Sequence, residues 1–337
     1  MITYNNLYPQ IYDFENLLLA YKKAKRNKSF RNEVISYMIN FEENIIDLQN
    51  CLMWKSYEQS RYHEFKVYEP KERIIFALPF RDRVLQHALI NIIEPIFEKS
   101  FIYDNYACRT NKGTIAAILK LEEFLGDHTK GSYFLKADIK KYFYSIDHDI
   151  LKRIIRRKIS CADTLKLIYL IIDTTDGPGI PIGNLTSQLF ANIYLNELDQ
   201  FCKHTLKAKH YIRYMDDFII LSEDRDYLRM CFAEIENFVN TELRLSLNSK
   251  SYIEKISKGI DFLGYRHWKN FRLLRKSNMK KNVKKFKMFM REYNTGNMGI
   301  EDIRASYQSF LGHLRWCNAD KLKTKIETIL GEKVCTN

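Results

Sequence analysis

The chain has 337 residues, 46% of them hydrophobic, which is sufficient for a sizeable core in one or two domains. Its formal net charge of +13 favours a polyanionic partner. The seven cysteines are odd in number and form no C-x-x-C pair, which argues against a disulfide framework and a zinc ribbon. We find neither a signal peptide nor an apolar run of bilayer length, so we expect a soluble cytoplasmic protein without a membrane partner.

The first half of the chain predicts helices interrupted by short strands. Residues 9–57 have apolar side chains at three- and four-residue spacings, which is typical of helices. Residues 65–79 predict a strand pair with Pro70 at its turn, and residues 82–101 predict a helix that a proline disturbs. Residues 131–143 predict a strand that ends in a turn or a helix start.

The second half contains helices, a hairpin and a basic helical end. In chain order the predicted elements are helices at 147–173, a Gly/Pro loop followed by a helix at 176–200, a β-hairpin at 210–222, a helix at about 225–243, a short strand pair at 252–267 and about three helices at 277–331. Because these elements show no regular βαβ rhythm, we predict an α+β fold.

Two adjacent aspartates, Asp216 and Asp217, lie inside the apolar hairpin sequence "YIRYMDDFIILS". Unpaired carboxylates are costly to bury, but a hard divalent cation such as Mg²⁺ neutralises them. Asp138, which ends the apolar run "YFLKAD", is the best candidate for a third ligand. The alternative is that Asp216 and Asp217 are exposed turn residues, since aspartate is a common turn former.

The sequence around these aspartates resembles the motifs of reverse transcriptases. "YMDD" between apolar strands resembles motif C, and the other resemblances are, in chain order, the fingers motifs of bacterial reverse transcriptases at 71–114, motif A at 134–148 ("FLKADIKKYFYSIDH"), motif B at 179–199 ("GIPIGNLTSQLFANIYLNELD"), motif D at 243–253 and motif E at 260–268. The resemblance implies a right-hand polymerase with fingers, an antiparallel palm sheet backed by helices, and a helical basic thumb. We therefore expect an N-terminal helical extension at 1–60, fingers and palm at 61–268 and the thumb at 269–337.

The resemblance implies an RNA-directed DNA polymerase that adds dNTPs to a primer 3′-hydroxyl on an RNA template. Asp138, Asp216 and Asp217, with the Ile139 carbonyl, would bind two Mg²⁺ ions, for which Mn²⁺ is the expected substitute, in two-metal phosphoryl transfer. Lys250 of motif D corresponds to lysines that protonate the leaving pyrophosphate. An exposed lysine without a catalytic role is the alternative.

The resemblance also implies a nucleotide pocket and a primer grip. The nucleotide-binding residues are Lys71 and Arg73 at the triphosphate, Phe143 as a steric gate against a ribose 2′-hydroxyl, its neighbour Tyr142, and Ile182, Gly183 and Gln188 around the nascent pair. We interpret Tyr142 and Tyr144 mainly as aromatic residues of the palm core. The primer-grip residues are Phe262, Leu263, Gly264 and Tyr265, for which a core hairpin is an equally compatible role.

Residues 269–291 contain ten Lys/Arg and no acid, and residues 21–31 contain six Lys/Arg. Aromatic residues interleave both stretches, so we expect nucleic-acid binding, with Lys280, Lys281, Lys284 and Lys285 as phosphate contacts. A solvated basic face and an anionic membrane surface are the weaker alternatives.

Motif B has an aliphatic residue before its glycine and Ser-Gln at its end, as in reverse transcriptases of diversity-generating retroelements and related unknown-group or defence enzymes. Because Ile182 has no hydrogen-bonding group, we expect looser base selection than with glutamine, unless Ile182 merely packs in the palm. We therefore expect a role within a diversity-generating retroelement, with a structured RNA and a small accessory protein or second subunit as partners. An antiviral defence enzyme with a cognate non-coding RNA and a catalytically idle RNA-binding scaffold remain open, whereas length and motifs argue against a retron, a group II intron maturase and an RNase H domain.

Overall fold

A computed structural model describes residues 2–68, 72–129, 131–331 and 334. The helices are α1 (Tyr8–Tyr12), α2 (Phe14–Lys25), α3 (Asn32–Ile39), α4 (Phe41–Met53), α5 (Phe80–Glu98), α6 (Thr114–Gly126), α7 (Tyr142–Ser145), α8 (His148–Arg156), α9 (Ala162–Ile172), α10 (Leu185–Gln200), α11 (Arg225–Thr241), α12 (Lys276–Asn294), α13 (Ile300–Leu314) and α14 (Asp320–Leu330). Along the described residues, no helix is both long enough and apolar enough to cross a bilayer.

The strands form three separate sheets. The strands are β1 (His63–Val67), β2 (Arg73–Ala77), β3 (Tyr133–Asp138), β4 (His210–Tyr214), β5 (Asp217–Ser222), β6 (Tyr252–Lys255), β7 (Ile260–Phe262), β8 (Tyr265–His267) and β9 (Arg272–Leu274). Their orders are β1-β2, β4-β5-β3-β6 and β7-β8-β9, and the pairs β1-β2, β7-β8 and β8-β9 are antiparallel. The predicted mixture of helices and sheets is confirmed.

Most predicted elements are present, and the largest difference lies between residues 252 and 267. This segment was predicted as one strand pair, but β6 joins the four-stranded sheet while β7 and β8 pair in another sheet with β9. A 3₁₀ turn at Ile256–Lys258 and the positive φ of Gly259 (81°) separate β6 from β7. Helix α6 was not predicted, and the predicted turn at Pro70 lies outside the described residues.

The chain divides into two compact units. Unit 1 comprises Met1–Gly113, Lys136–Ile219 and Met230–Ser251, and unit 2 comprises Thr114–Leu135, Ile220–Arg229 and Tyr252–Asn337. The ends of β3 and β5 that carry Asp138 and Asp217 both belong to unit 1. The division between fingers, palm and thumb at residue 268 stays a prediction.

Unit 1 is organised around two helices that are buried on more than one face. Helix α5 buries Val84, Leu85, Leu89 and Ile93, and α10 buries most of its residues between Thr186 and Leu198. A helix that is apolar on most sides must be surrounded by other elements. Helix α10 is therefore a rigid support for the loop that precedes it and for the residues that contact its carbonyl groups.

The last three helices of unit 2 enclose a small aromatic core. Phe286 of α12 is fully buried, and its ring centroid lies 5.4 Å from that of Phe310 and 6.3 Å from that of Tyr307. Leu322 and Ile326 of α14 complete this core. Because Phe286 anchors one side of α12, the lysine side chains on the other side of that helix remain exposed.

Candidate active site

The end of β3 lies beside the turn between β4 and β5. Asp138 is the last residue of β3, and the backbone N–H of the next residue, Ile139, donates to the Asp216 carbonyl oxygen at 3.3 Å. Asp217 is the first residue of β5. The fold thus brings together the three aspartates that the sequence nominated, although they come from two distant parts of the chain.

The β4–β5 connection is a two-residue turn formed by Met215 and Asp216. Met215 has φ of 56°, a left-handed conformation that is uncommon for residues other than glycine. Such conformations persist when the surrounding structure holds them, and they are frequent at functional sites. The turn leaves Asp216 and Asp217 partly buried, so the alternative of two freely exposed turn residues does not describe them.

The Asp216 carboxyl group lies in an unfavourable electrostatic environment. Burial raises the pKa of Asp216 above its ordinary value, and the negative charges of Asp217 and Asp138 raise this pKa further, while Arg73 opposes the shift. Asp216 is therefore within electrostatic range of both Asp138 and Asp217. This clustering is also the first evidence that Arg73, whose side chain is exposed at the start of β2, is near the aspartates.

Lys136 neutralises one of these carboxylates, a contact that the sequence reasoning missed. Its Nζ donates to Asp217 Oδ1 at 2.8 Å and to Oδ2 at 2.9 Å. The signal was present in "LKAD", because residues two apart on a strand point to the same face. Over the described residues, no three His, Cys, Asp or Glu side chains are grouped so as to hold a metal ion. In this structure Asp217 is paired with Lys136 instead.

Asn248 binds Asp138 through two hydrogen bonds and was also missed by the sequence reasoning. The Asn248 side-chain amide donates to Asp138 Oδ2 at 3.0 Å, and its backbone N–H donates to the Asp138 carbonyl oxygen at 2.8 Å. The backbone N–H of Lys250 donates in turn to Asn248 Oδ1 at 3.1 Å. The segment resembling motif D is thus attached to Asp138, while the Lys250 side chain is exposed and its role as a proton donor stays a prediction.

The aromatic residues after Asp138 are buried to very different extents. Tyr142 is 2% exposed, and its hydroxyl donates to the Ala191 carbonyl oxygen of α10 at 2.5 Å. This side chain is packed in the core against α10, as expected for a palm-core aromatic, and its contact with a nucleotide stays a prediction. Tyr144 is 42% exposed, and its interpretation as a core aromatic was wrong. Phe143 is partly exposed, which leaves its ring available for the predicted gate.

The loop resembling motif B is fixed to strand β2 of the same unit. The Phe76 backbone N–H donates to the Ile182 carbonyl oxygen at 2.8 Å. Gly183 has φ of 121°, and a Cβ there would lie 2.9 Å from the Phe76 carbonyl oxygen, so only glycine fits. Ile182 is partly exposed, and Gln188 is exposed on the first turns of α10. Lys71 lies outside the described residues.

The predicted primer-grip residues in unit 2 form a tight hairpin. Phe262 is fully buried and Tyr265 is 5% exposed, which confirms the core-hairpin role for both side chains. Leu263 and Gly264 form the two-residue tip with positive φ values of 48° and 90°. The Gly264 carbonyl oxygen accepts from the Arg275 backbone N–H at 3.0 Å, which ties the tip to the start of α12.

Exposed lysines extend along α12, the basic helix of unit 2. Lys280 and Lys284 are one turn apart, as are Lys281 and Lys285, and all four side chains are exposed. Lys285 Nζ also lies 5.1 Å from the Phe289 ring centroid. This arrangement is suited to contact with successive phosphates, which stays a prediction.

An aspartate at the end of one strand, beside an Asp-Asp turn between two others, is the arrangement that the motif resemblance implied for a polymerase palm. Residues 66–267 match the family model described as reverse transcriptase (RNA-dependent DNA polymerase). Since this match covers more than half of the chain, the chain belongs to the reverse transcriptase family. The resemblance to reverse transcriptases that the motifs indicated is therefore confirmed at the level of the family.

Individual relatives support the same assignment. The chain is 27% identical to protein YkfC of Escherichia coli strain K12 over 249 residues, covering 60% of this chain and 65% of that protein. It is 24% identical to group II intron-encoded protein LtrA of Lactococcus lactis subsp. cremoris, covering 55% and 43% of the two chains. It is 22% identical to the putative COX1/OXI3 intron 2 protein of Saccharomyces cerevisiae, covering 75% and 38%. The chain thus spans between 38% and 65% of these relatives' lengths.

The contact between Lys136 and Asp217 generates a prediction about divalent ions. In Lys136→Met, the carboxylates lose a cationic partner, so the free energy of unfolding without divalent ions should fall by about 1.5–3 kcal/mol. The same change removes a competitor for Asp217, so the rise in unfolding temperature on adding Mg²⁺ should be larger than in the wild type. Thermal unfolding with and without Mg²⁺ measures both effects.

Lys140→Met is the matched control, because Lys140 is an exposed lysine on the same segment. It should leave both quantities at their wild-type values. A Mg²⁺-induced shift in Lys136→Met that is equal to or smaller than the wild-type shift contradicts the competition between Lys136 and the metal.

Proposed function

We propose that this chain is an RNA-directed DNA polymerase whose active site is formed by Asp138, Asp216 and Asp217. The observation that carries the proposal is the junction of β3 with the β4–β5 turn. There the charges of Asp138 and Asp217 act on the Asp216 carboxyl group, within the residues that match the family model. Two roles remain for such a cluster in a basic protein of this family. It serves catalysis, or it is a remnant in an RNA-binding scaffold.

The three carboxylates suit Mg²⁺ chemically, with Mn²⁺ as the expected substitute. Hard divalent cations prefer oxygen ligands. Burial, with the charges of Asp217 and Asp138, raises the pKa of Asp216, and a bound cation would lower the cost of ionising this carboxyl group. We propose that Asp138, Asp216, Asp217 and the Ile139 carbonyl hold the ions. When bound, such ions supply Lewis-acid activation of the primer hydroxyl and charge neutralisation at the triphosphate.

The remaining proposed roles belong to the side chains of this chain. Arg73, with Lys71, contributes positive charge for the incoming triphosphate, while Asn248 keeps the Asp138 carboxylate oriented through its amide. Phe143 limits the space at the sugar and thereby selects dNTPs. Lys250 donates a proton to the leaving pyrophosphate.

The proposed arrangement of the whole enzyme is that of a right hand. The junction of Asp138 with the Asp216 turn belongs to the palm, β1 and β2 to the fingers, and α12–α14 to the thumb. The tip formed by Leu263 and Gly264 contacts the primer, while α12 contacts the phosphates of the primer–template duplex. Two of the relatives bear the names of intron proteins, which supports a structured RNA as partner of this chain.

For the biological role we propose a diversity-generating retroelement, in which a small accessory protein or second subunit assists the polymerase. The support is the aliphatic Ile182 before Gly183 and the Ser187-Gln188 pair in motif B. The alternative is an antiviral defence enzyme with a cognate non-coding RNA, for which the same motif B features are the support.

Neutralising the central aspartates tests the polymerase activity. Asp216→Asn and Asp217→Asn should each abolish extension of a DNA primer on an RNA template, because each loses a metal-binding carboxylate. Both variants should retain RNA binding, measured by filter retention. Asp216→Asn should also unfold at a higher temperature than the wild type without Mg²⁺. The pKa of Asp216 is raised in the folded chain, so its ionised carboxylate destabilises the fold of the wild type.

Asp226→Asn is the control, since Asp226 is an exposed aspartate paired with Arg229 on α11. It should extend primers at the wild-type rate. If the wild type binds RNA but incorporates no nucleotide with Mg²⁺ or Mn²⁺, the scaffold role replaces the polymerase role.

The basic face of α12 should determine the salt dependence of duplex binding. Each lost phosphate contact reduces the slope of log affinity against log salt by about 0.9 on B-DNA. Lys280→Gln/Lys284→Gln should therefore flatten the slope measured on an RNA–DNA duplex. Lys321→Gln/Lys325→Gln is the matched pair, with the same spacing on the exposed face of α14, and it should leave the slope unchanged. Equal slopes for the two pairs would place the duplex elsewhere, for example at residues 21–31.

The retroelement role predicts that Ile182 loosens base selection. Ile182→Gln adds a hydrogen-bonding side chain while the Ile182 carbonyl bond to Phe76 is retained, because that bond involves only the backbone. One hydrogen bond of about 0.5–1.5 kcal/mol corresponds to a several-fold fall in misincorporation. The frequency of misincorporation opposite each template base measures this change. Gln188→Ala is a second pocket variant, chosen because alanine preserves helix α10. Wild-type error frequencies in both variants would remove the main physical support for this role.

A further inference from the structure

A fully buried ion pair lies directly behind the Asp216 turn. Arg213 of β4 and Asp199 of α10 are both 0% exposed. Arg213 Nε donates to Asp199 Oδ1 at 2.6 Å, and Nη2 donates to Oδ2 at 2.6 Å. The pair is bidentate, the geometry in which a guanidinium group and a carboxylate fix each other's orientation most strongly.

The third nitrogen of the same guanidinium group reaches the turn itself. Arg213 Nη1 donates to the Met215 carbonyl oxygen at 2.8 Å. Met215 is the turn residue with the left-handed φ of 56°, and its carbonyl group belongs to the peptide that precedes Asp216. One side chain therefore connects a carboxylate on α10 to the strained peptide that presents the two aspartates.

Neighbouring groups hold this pair in place on several sides. The Tyr211 hydroxyl donates to Asp199 Oδ1 at 2.7 Å, and the Arg213 backbone N–H donates to the Asp104 carbonyl oxygen at 3.0 Å. Arg213 Nη1 also donates to Asn192 Oδ1 of α10 at 3.4 Å. The guanidinium group has little freedom to leave the Met215 carbonyl.

Stability alone does not account for such a pair. Burying two charges costs several kcal/mol per ion, and apolar residues of similar volume are often at least as stabilising. A lysine would not serve equally, because its ammonium group lacks the planar fork in which two nitrogens bind the two carboxylate oxygens while the third donates to a carbonyl. The distinctive consequence of arginine here is the bond to Met215.

We propose that Arg213 is a positioning residue for the polymerase site, oriented by Asp199, and that its bond to the Met215 carbonyl sets the turn that presents Asp216 and Asp217. This inference rests on the proposed function of those aspartates. It assigns Arg213 and Asp199 an effect on metal binding and on turnover, although neither side chain contacts the nucleotide.

The test removes both charges together, so that no buried charge is left unpaired. In Arg213→Met/Asp199→Leu/Tyr211→Phe, the core remains apolar and filled, and the hydroxyl that would lose its acceptor is also removed. We expect an unfolding temperature near the wild-type value. We also expect Mn²⁺ affinity, measured by calorimetry without nucleic acid, to fall about three- to tenfold, as for one lost hydrogen bond. Turnover on an RNA template should fall about 10²-fold from misplacement of the aspartates, with the KM for dNTP changed less.

Arg157→Met/Glu197→Leu is the control, because it removes another Arg–carboxylate pair that involves α10, with an N–O distance of 2.6 Å. It should keep wild-type Mn²⁺ affinity and turnover. If the triple variant folds and matches the wild type in both quantities, the pair is merely structural and the proposal is overturned.

If the triple variant does not fold, Arg213→Lys decides the question. It retains the positive charge opposite Asp199 and should fold, with lower Mn²⁺ affinity and lower turnover than the wild type. Wild-type values in folded Arg213→Lys overturn the proposal. A wild-type enzyme that binds Mn²⁺ but never polymerises refutes the proposed function instead, and the Mn²⁺ affinities of the variants still decide whether Arg213 positions the turn.

Discussion

Mutual repulsion among three carboxylates is the constraint on which the candidate site depends. Burial raises the cost of ionising Asp216, and the negative charges of Asp217 and Asp138 raise that cost further. A fold that brings them together must compensate the charge locally. Lys136 on Asp217, Asn248 on Asp138 and the nearby Arg73 provide this compensation from three different elements.

The backbone around the site is fixed by contacts that leave few alternatives. The Ile139–Asp216 hydrogen bond sets the separation of β3 from the turn, and the glycine at 183 allows motif B to approach Phe76 closely. Tyr142 joins the segment after Asp138 to α10. Since α10 is itself buried on most sides, the aspartates are held by a rigid framework, as a site that orients reacting groups requires.

Periodicity and local chemistry predicted much of this arrangement from the sequence. The strand ending at Asp138, the hairpin around Asp216 and the three final helices all have patterns that depend on neighbouring residues in the chain. Long-range partners were less accessible: nothing local in residues 252–267 tells β6 to join one sheet and β7 another. Tyr142 and Tyr144 are a different case: they lie two residues apart on a four-residue helix, so their opposite exposures follow from local helix geometry that the interpretation of both as core residues overlooked.

Lys136 shows why a charge compensation can escape sequence motifs and still govern function. Its ammonium group supplies one positive charge to Asp217, whereas a divalent cation supplies two and can be shared with Asp138 and Asp216. The lysine therefore stabilises Asp217 without compensating all three carboxylates, and the pKa of Asp216 stays raised by burial and by the charges of Asp217 and Asp138. A site left in this partly compensated state retains a driving force for binding Mg²⁺. Had each carboxylate its own lysine or arginine partner, the fold would be easier to form, but the same charges would oppose the cation that the proposed chemistry needs.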